Sequence, residues 1–292
     1  MFDLRYHVAS LAAVFVALLI GILVGVAMSG KVDDAEKRSL ETEISLLNAE
    51  LDSARESRSS VTREQNAIRA FVKNAYPSLI DERLRGKRIA ILFVGTVDAG
   101  VRQDIERTLD DSGATNPVRM QALKIPLDAE AVESRLNGDL RQYRAAGLDE
   151  LGRALARELV DGGDTPGWNA LTSLLVVEKA GSFRRSADGV VVARTVEPQK
   201  DETAEFLSGL YAGLADTDVP TIGVETSDVG LSAVEAWSEA GLSTIDDIDA
   251  PAGRLALALL LAGGPTGNYG VKESAGDGIV PPVEPLPAPA SG

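Results

Sequence analysis

The longest apolar stretch of the chain runs from Val8 to Met28 and contains no charged residue. A helix of this length extends roughly 31 Å, which matches a hydrocarbon core of about 30 Å. The pattern therefore predicts a single membrane-spanning helix at residues 8–28, preceded by a short cytoplasmic segment at residues 1–7. A cleaved signal peptide is the alternative, because small residues surround Gly25 to Ser29, but the run is longer than most signal sequences.

A heptad repeat of apolar residues follows the span and predicts a coiled coil over residues 31–76. Its apolar positions alternate in spacing between three and four residues; they are Leu40, Ile44, Leu47, Leu51, Ala54, Val61, Ile68 and Val72. Arg58 and Gln65 fill the two polar seam positions, where such residues fix register at a cost in stability. Gly21 and Gly25 form a G-x-x-x-G pair in the span, which allows two membrane helices to approach closely.

These two features together predict a parallel homodimer. The alternative is a single amphipathic helix that folds back on the globular part of the chain, although the narrow apolar stripe is more typical of a coiled-coil seam. We expect Pro77 to end the long helix, because proline removes a backbone donor and clashes with the preceding turn.

Residues 86–264 alternate short apolar runs with helical patterns, which is typical of an α/β domain with a mostly parallel sheet. The predicted strands are 89–94, 118–125, 174–177, 219–224 and 243–245, and the predicted helices are 98–111, 128–136, 148–160, 202–214, 231–240 and 252–261. Residues 190–196 are predicted to form an additional edge hairpin with residues 182–187. The proline- and glycine-rich residues 265–292 are predicted to be extended or disordered.

The composition excludes several classes of chemistry. A formal net charge of −15 disfavours nucleic acid as a partner. The chain has no cysteine, and its one histidine, His7, lies at the membrane boundary, so thiol catalysis and histidine-dependent triads are excluded. We therefore predict no enzymatic activity, no catalytic or metal-binding residue and no cofactor. Met120 lies on a predicted strand, where a core position is expected.

Carboxylates are the one group that could cluster, because several follow predicted strands that end at the same edge of a parallel sheet. They are Asp98, Glu225, Asp228, Asp246, Asp247 and Asp249. Such oxygens could hold a hard divalent cation. The structural interpretation is favoured: Asp98, Asp228 and Asp249 precede helices and would cap them, while Asp246 and Asp247 would be solvated.

Three sequence blocks carry a resemblance to a known family. They are LRYHVASLAAVFVALLIGILVG at residues 4–25, LSTIDDIDAPAGRLALALLLAG at residues 242–263 and GNYGVK at residues 267–272. In this order they resemble the actinobacterial family named after mycobacterial copper transport protein B. The resemblance implies either copper efflux through the envelope, with an outer-membrane location, or a role in a septal complex that controls peptidoglycan cleavage. It assigns no residue a catalytic or metal-binding role.

The residues favour the second of these functions. A water-filled pore needs a closed barrel or several helices with polar faces, and neither pattern is visible in the sequence. We therefore expect a single-pass protein of the cell membrane whose globular domain lies outside the cytoplasm. It would be a dimeric scaffold or regulator that recruits an envelope or division partner, such as a peptidoglycan hydrolase, during cell separation. Copper efflux or copper homeostasis is the alternative function.

Overall fold

The computed structural model describes residues 4–114, 117–138 and 147–285. The chain divides into two compact units, Met1–Arg69 and Ala70–Gly292. The helices are α1 Leu4–Ile80, α2 Ala99–Asp111, α3 Ala129–Gly138, α4 Gly147–Asp161, α5 Pro166–Leu175, α6 Asp201–Ala215, α7 Val234–Glu239 and α8 Pro251–Leu261. The strands are β1 Ile89–Val94, β2 Arg119–Leu123, β3 Val176–Gly181, β4 Gly189–Arg194, β5 Thr221–Val224, β6 Ser243–Ile245 and β7 Asn268–Tyr269.

The described part of the first unit, residues 4–69, is the larger part of helix α1, and the predicted apolar helix is confirmed there. Its window Ser10–Ala27 has a mean hydropathy of 2.7 and is wholly exposed, and it is the one stretch among the described residues long and apolar enough to cross a membrane. The surroundings of Gly21 and Gly25 are open, as close packing of a second helix would require. The coiled coil over residues 31–76 stays a prediction, since the structure holds a single chain.

The expectation that Pro77 ends the long helix is wrong, because α1 continues through Pro77 to Ile80. Tyr76 and Ile80 are buried in the core of the second unit together with Leu84. Their burial holds the last turn in helical geometry even though Pro77 has no backbone donor.

The second unit is built on a seven-stranded sheet with the order β3-β2-β1-β4-β5-β6-β7. All neighbouring strands run parallel except β2 and β3, which are antiparallel. The mostly parallel α/β fold is thereby confirmed. Every residue of β1 is buried, because helices cover both faces of the sheet. Leu92 belongs to the core on one face, to which α3, α4, α5, α6 and α7 contribute, and Phe93 belongs to the core on the other face, to which α2 and α8 contribute.

Helices α4 and α6 approach each other so closely that glycine is required between them. A side chain at Gly152 would overlap the backbone of α6, and a side chain at Gly209 would overlap the backbone of Asp149 in α4. Gly213 faces Arg153 of α4 in the same way, with 2.6 Å between the position of an added Cβ and the Arg153 Cα atom. The backbones of the two helices are therefore in direct contact.

Three further predictions about the sheet need correction. Residues 190–196 do not form an edge hairpin, because β4 lies at the centre and pairs in parallel with β1 and β5. Its buried run Val190–Ala193 is the pattern of a strand covered on both faces. Residues 182–187 form no strand. The strand predicted at 174–177 begins only at Val176, because α5 extends to Leu175 and buries Trp168, Leu171 and Leu175 at helical spacing.

The disorder predicted from residue 265 onward is wrong for the first part of that segment. Asn268 and Tyr269 form β7, which pairs in parallel with β6. The Tyr269 side chain is 4% exposed and belongs to the core that Phe93 occupies. Burial of this ring and the pairing with β6 hold the segment on the sheet edge. The final part of the predicted tail, residues 286–292, lies outside the described residues.

Candidate functional site: a carboxylate cluster at the sheet edge

Three carboxylates meet where β5 and β6 end. Glu225 directly follows β5, and Asp246 and Asp247 directly follow β6. Their exposed fractions are only 4%, 1% and 1%. The expectation that Asp246 and Asp247 are solvated is therefore wrong. A buried charge requires compensation by opposite charge or by hydrogen bonds, so the partners of each group decide its role.

Glu225 is satisfied on both oxygens. Its Oε1 accepts hydrogen bonds from Lys272 Nζ at 2.7 Å and from Ser232 Oγ at 2.8 Å, and its Oε2 accepts from the backbone N–H of Ala233 at 2.8 Å. Ala233 is the N-cap residue of α7. Glu225 thus accepts the hydrogen bond at the start of α7. The prediction that Asp228 caps this helix is wrong, and Asp228 is exposed.

Asp246 binds the backbone of the residues that directly follow β7. Its Oδ1 accepts from the backbone N–H of Val271 at 2.7 Å, and its Oδ2 accepts from that of Lys272 at 3.1 Å. Gly270 has a φ of +141° and lies so close that any side chain there would overlap the Asp246 carboxylate. We call residues 268–272 the strap. Asp246 and Glu225 together bind the strap through its backbone and through Lys272.

Asp247 differs from its neighbours because neither of its side-chain oxygens has a hydrogen-bond donor among the described residues. Burial, together with the charges of Asp246 and Asp249, raises the pKa of Asp247 to about 7, against the opposing effect of Lys272 and Arg254. Gly253 lies beside this carboxylate, where a side chain would meet it. Asp247 is therefore the group of the cluster whose charge is least compensated.

Arg254 is the second cation of this region and lies in the first turns of α8. Its Nη1 donates to Asp104 Oδ1 and to the Asp249 backbone carbonyl, both at 3.1 Å. Its Nε has no acceptor among the described residues. Arg254 joins α8 to α2, since Asp104 belongs to α2.

The remaining two predicted carboxylates have different roles. Asp98 caps α2, because its Oδ1 accepts from the Val101 N–H at 2.9 Å, and this prediction is confirmed. Asp249 does not cap α8, whose N-cap residue is Ala250. Its two oxygens instead accept from the N–H and the hydroxyl of Ser227, both at 2.7 Å, which ties the loop after β6 to the loop after β5.

The geometry favours a structural role for this cluster. All its carboxylates except Asp247 are saturated by donors of the protein itself, and the described part of the chain contains no group of three or more acidic or histidine side chains placed to hold a metal ion. Met120 is 3% exposed within the core, as expected for its strand position. The side chain of His7 lies outside the described residues.

The topological switch point of the sheet lies elsewhere, between β1 and β4. Ligands of open α/β sheets bind at such a point, in the crevice beyond the strand ends. Here the Thr195 hydroxyl donates to the Thr96 carbonyl at 2.6 Å, and the side chains of Thr195 and Val196 lie where a side chain at Gly95 would be. The loops that follow β1 and β4 therefore pack directly against each other at this point.

The sequence pattern does not predict that Lys272, Arg254 and Ser227 lie beside the carboxylates. The sequence feature that could have indicated these contacts is the pair of blocks at residues 242–263 and 267–272. The fold brings these two blocks together as β6, α8 and the strap. A residue so far along the chain as Lys272 becomes a partner of Glu225 only through the pairing of β6 with β7.

The family model and the relatives that match this chain carry the same family name. A family model described as "Copper transport outer membrane protein, MctB" matches residues 1–280. A protein of Mycobacterium tuberculosis (strain H37Rv) named "Copper transporter MctB" is 27% identical over 94% of this chain and 98% of its own length. A protein of the same name from Mycobacterium leprae (strain TN) is 28% identical over 96% of this chain and 100% of its own length.

The match includes the apolar segment of α1, every helix and strand of the α/β domain given above, and the strap. The order of these parts is the one expected from the resemblance of the three sequence blocks. This chain belongs to the family of copper transport outer membrane proteins known as MctB.

Proposed function

We propose that this protein acts in copper homeostasis at the cell envelope, as a single-pass protein held there by the apolar part of α1. The observation that supports this proposal most is the family match over residues 1–280, together with relatives named copper transporter that align with almost the whole chain. The sequence alone makes this function the alternative, and the comparisons favour it over the scaffold role.

The composition restricts how such a protein could handle copper. Cu(I) prefers thiolate and thioether ligands, with imidazole as a further choice for copper. The chain has no cysteine, one histidine and three methionines, and Met120 is buried in β2. We therefore propose that the α/β domain supports copper handling without a tight Cu(I) site of its own.

The single span also restricts the mechanism. One transmembrane helix cannot enclose a water-filled path, so a direct transport role would need several copies or a further membrane protein. We propose that the α/β domain lies outside the cytoplasm and acts as part of such an assembly. Arg5 before the span agrees with an N-terminus inside the cell.

The test is a strain that lacks this protein, compared with the same strain carrying the full chain or a chain that begins at Lys31 and lacks the span. We expect loss of the protein to raise cellular copper several-fold and to lower copper tolerance, and only the full chain to restore both. Cellular zinc and zinc tolerance are the matched controls. Unchanged copper content and tolerance in the strain without the protein would contradict the proposal.

The scaffold role in cell separation is the second candidate, and the exposed heptad seam of α1 is the observation in its favour. The same strains distinguish the two functions. Chains of unseparated cells in medium without added copper, at normal copper content, would favour the scaffold role. Crosslinked affinity purification of the full chain would then identify a division or hydrolase partner.

A further inference from the structure

The first unit leaves an apolar seam exposed along α1. We call residues 40–69 of this helix the stalk. Its large seam side chains are about half exposed, in a narrow range from 47% to 57%; they are Leu40, Ile44, Leu47, Leu51, Val61 and Ile68. Among the described residues of the first unit, none covers this seam. A stripe that repeats every three and four residues is complementary to another copy of itself.

We propose that a second copy of this chain covers the seam, in a parallel and in-register two-stranded coiled coil. The repeat places Leu40, Leu47, Ala54, Val61 and Ile68 at the d positions of the heptad, and Ile44 and Leu51 at the first a positions. β-Branched residues at a combined with leucine at d favour two strands. Ile44 followed by Leu47 is this combination in the membrane-proximal half of the stalk.

The charged residues that flank the seam select the parallel orientation. In a parallel, in-register pair, a residue at g faces the e position of the next heptad in the other helix. Glu50 at g would face Arg55 at e of the second copy, and Glu64 would face Arg69 of the second copy in the same way. An antiparallel pair brings g against g and e against e, so that glutamates would oppose glutamates and arginines would oppose arginines.

The side chains needed for these contacts are available within the chain. Glu50 and Arg69 form no ion pair within the described residues, nor does Glu64. Arg55 contacts Asp52 at 3.3 Å, but both side chains are about 70% exposed. An exposed pair of this kind contributes little, so Arg55 can turn to a partner across the seam.

The polar seam positions are also compatible with two strands. Arg58 and Gln65 occupy a positions in the membrane-distal half. In a two-stranded coil the sides of the seam are open, and a long side chain can cover apolar surface with its methylene groups while its guanidinium stays in water. The same residues penalise any slipped register that would place Arg58 against an apolar layer.

The inference does not depend on the copper function, and the absence of cysteine makes it directly testable in the full chain in its membrane. Single cysteines are introduced in the membrane-proximal and the membrane-distal half of the seam, as Leu47→Cys and Ile68→Cys, and membranes are treated with a mild oxidant. We expect each variant to form a disulfide-linked dimer on a gel, because equivalent d positions meet in a parallel pair. Ala49→Cys, on the outer face at f, is the matched control and should give several-fold less dimer.

Mixing the two variants tests the orientation. A disulfide between Leu47→Cys and Ile68→Cys chains, in place of the two symmetric products, would overturn the parallel arrangement. Equal yields at Leu47→Cys and at Ala49→Cys would overturn the seam itself, since the contact would then be random collision.

The role of the flanking charges has its own test, in the Leu47→Cys chain. Glu50→Arg with Glu64→Arg should lower the disulfide yield several-fold, and adding Arg55→Glu with Arg69→Glu should restore it. Glu56→Arg, which lies at an f position, is the control that changes a charge without facing the second copy. An unchanged yield after Glu50→Arg with Glu64→Arg would overturn the assignment of these pairs.

Discussion

At the scale of single residues, Asp247 makes the stability of the α/β domain depend on pH. Its pKa is about 7 in the folded protein, against a value of about 3.9 for an unfolded chain. At a pH between these two pKa values, the Asp247 carboxyl is ionised in the unfolded chain but still protonated in the folded domain. The free energy of unfolding is therefore expected to fall as the pH rises from 4 to 7, by as much as about 4 kcal/mol from this group.

The substitution Asp247→Asn tests this expectation. Asparagine has nearly the same size and no charge, so the variant should be more stable than the original domain at pH 8 and nearly equal to it at pH 4. Urea unfolding of residues 70–292 across this pH range measures the difference. Asp228→Asn, at an exposed position, is the control and should leave the pH dependence unchanged. An equal stability difference at pH 4 and pH 8 would contradict a titrating Asp247.

The sequence predicted the roles of these carboxylates only where the signal is local. Asp98 could be recognised as a cap because it lies directly before a helical pattern and its partner Val101 is three residues away. Glu225 and Asp228 both precede α7, and the path of the loop decides which of them reaches Ala233. Burial of Asp246 depends on the strap, whose contacts are 25 and 26 residues further along the chain.

At the scale of secondary-structure elements, the strap is held to the sheet edge by the ion pair of Lys272 and Glu225. Removing the ammonium by Lys272→Ala leaves Glu225, which is 4% exposed, without its cation. We expect the domain to lose roughly 3 kcal/mol of stability, as is typical when one partner of a buried pair is removed. Urea unfolding at pH 7 measures the loss.

Two further variants separate the loss of this ion pair from the general effect of removing a lysine. Lys179→Ala removes a cation from an exposed position on β3 and should change the stability by less than about 0.5 kcal/mol. Glu225→Gln combined with Lys272→Met removes both charges and should recover part of the loss. If Lys272→Ala is as stable as Lys179→Ala, the ion pair does not hold the strap.

The sequence pattern predicts that most of these helices and strands exist. It does not predict which strands lie next to each other in the sheet. The run Ile89–Val94 was recognisable as a buried strand because all its residues are apolar. The similar run of β4 is equally recognisable as a strand, but its predicted edge position is wrong, since a pattern of burial does not say which strands lie on either side. The predicted end of α1 at Pro77 is wrong because the breaking effect of proline is local, whereas the burial of Ile80 depends on the folded core.

At the scale of the whole molecule, the apolar segment Ser10–Ala27 should decide where the protein is found. The full chain is expected to sediment with membranes and to resist carbonate extraction, because removing such a helix from lipid exposes its entire apolar surface to water. A chain that begins at Ala70 contains both cores of the second unit and should remain in the supernatant. Fractionation followed by immunoblotting measures both results.

The cleaved signal peptide makes the opposite prediction for the full chain. Intact-mass measurement of the purified protein distinguishes the two, because an anchor keeps residues 1–29 and a signal peptide cleaved after Ser29 loses them. A mature protein that begins near Gly30 and remains in the supernatant would contradict the anchor.

The backbone contact between α4 and α6 has a consequence for how the domain opens. Gly152, Gly209 and Gly213 let the two helices meet without side chains between them, so neither can slide or tilt by a small amount while the other stays in place. Partial opening of one helix would strip the packing from the other over its whole length. The pair should therefore behave as a single cooperative unit of native-state fluctuation, with the amides of both helices exchanging with solvent through the same rare event.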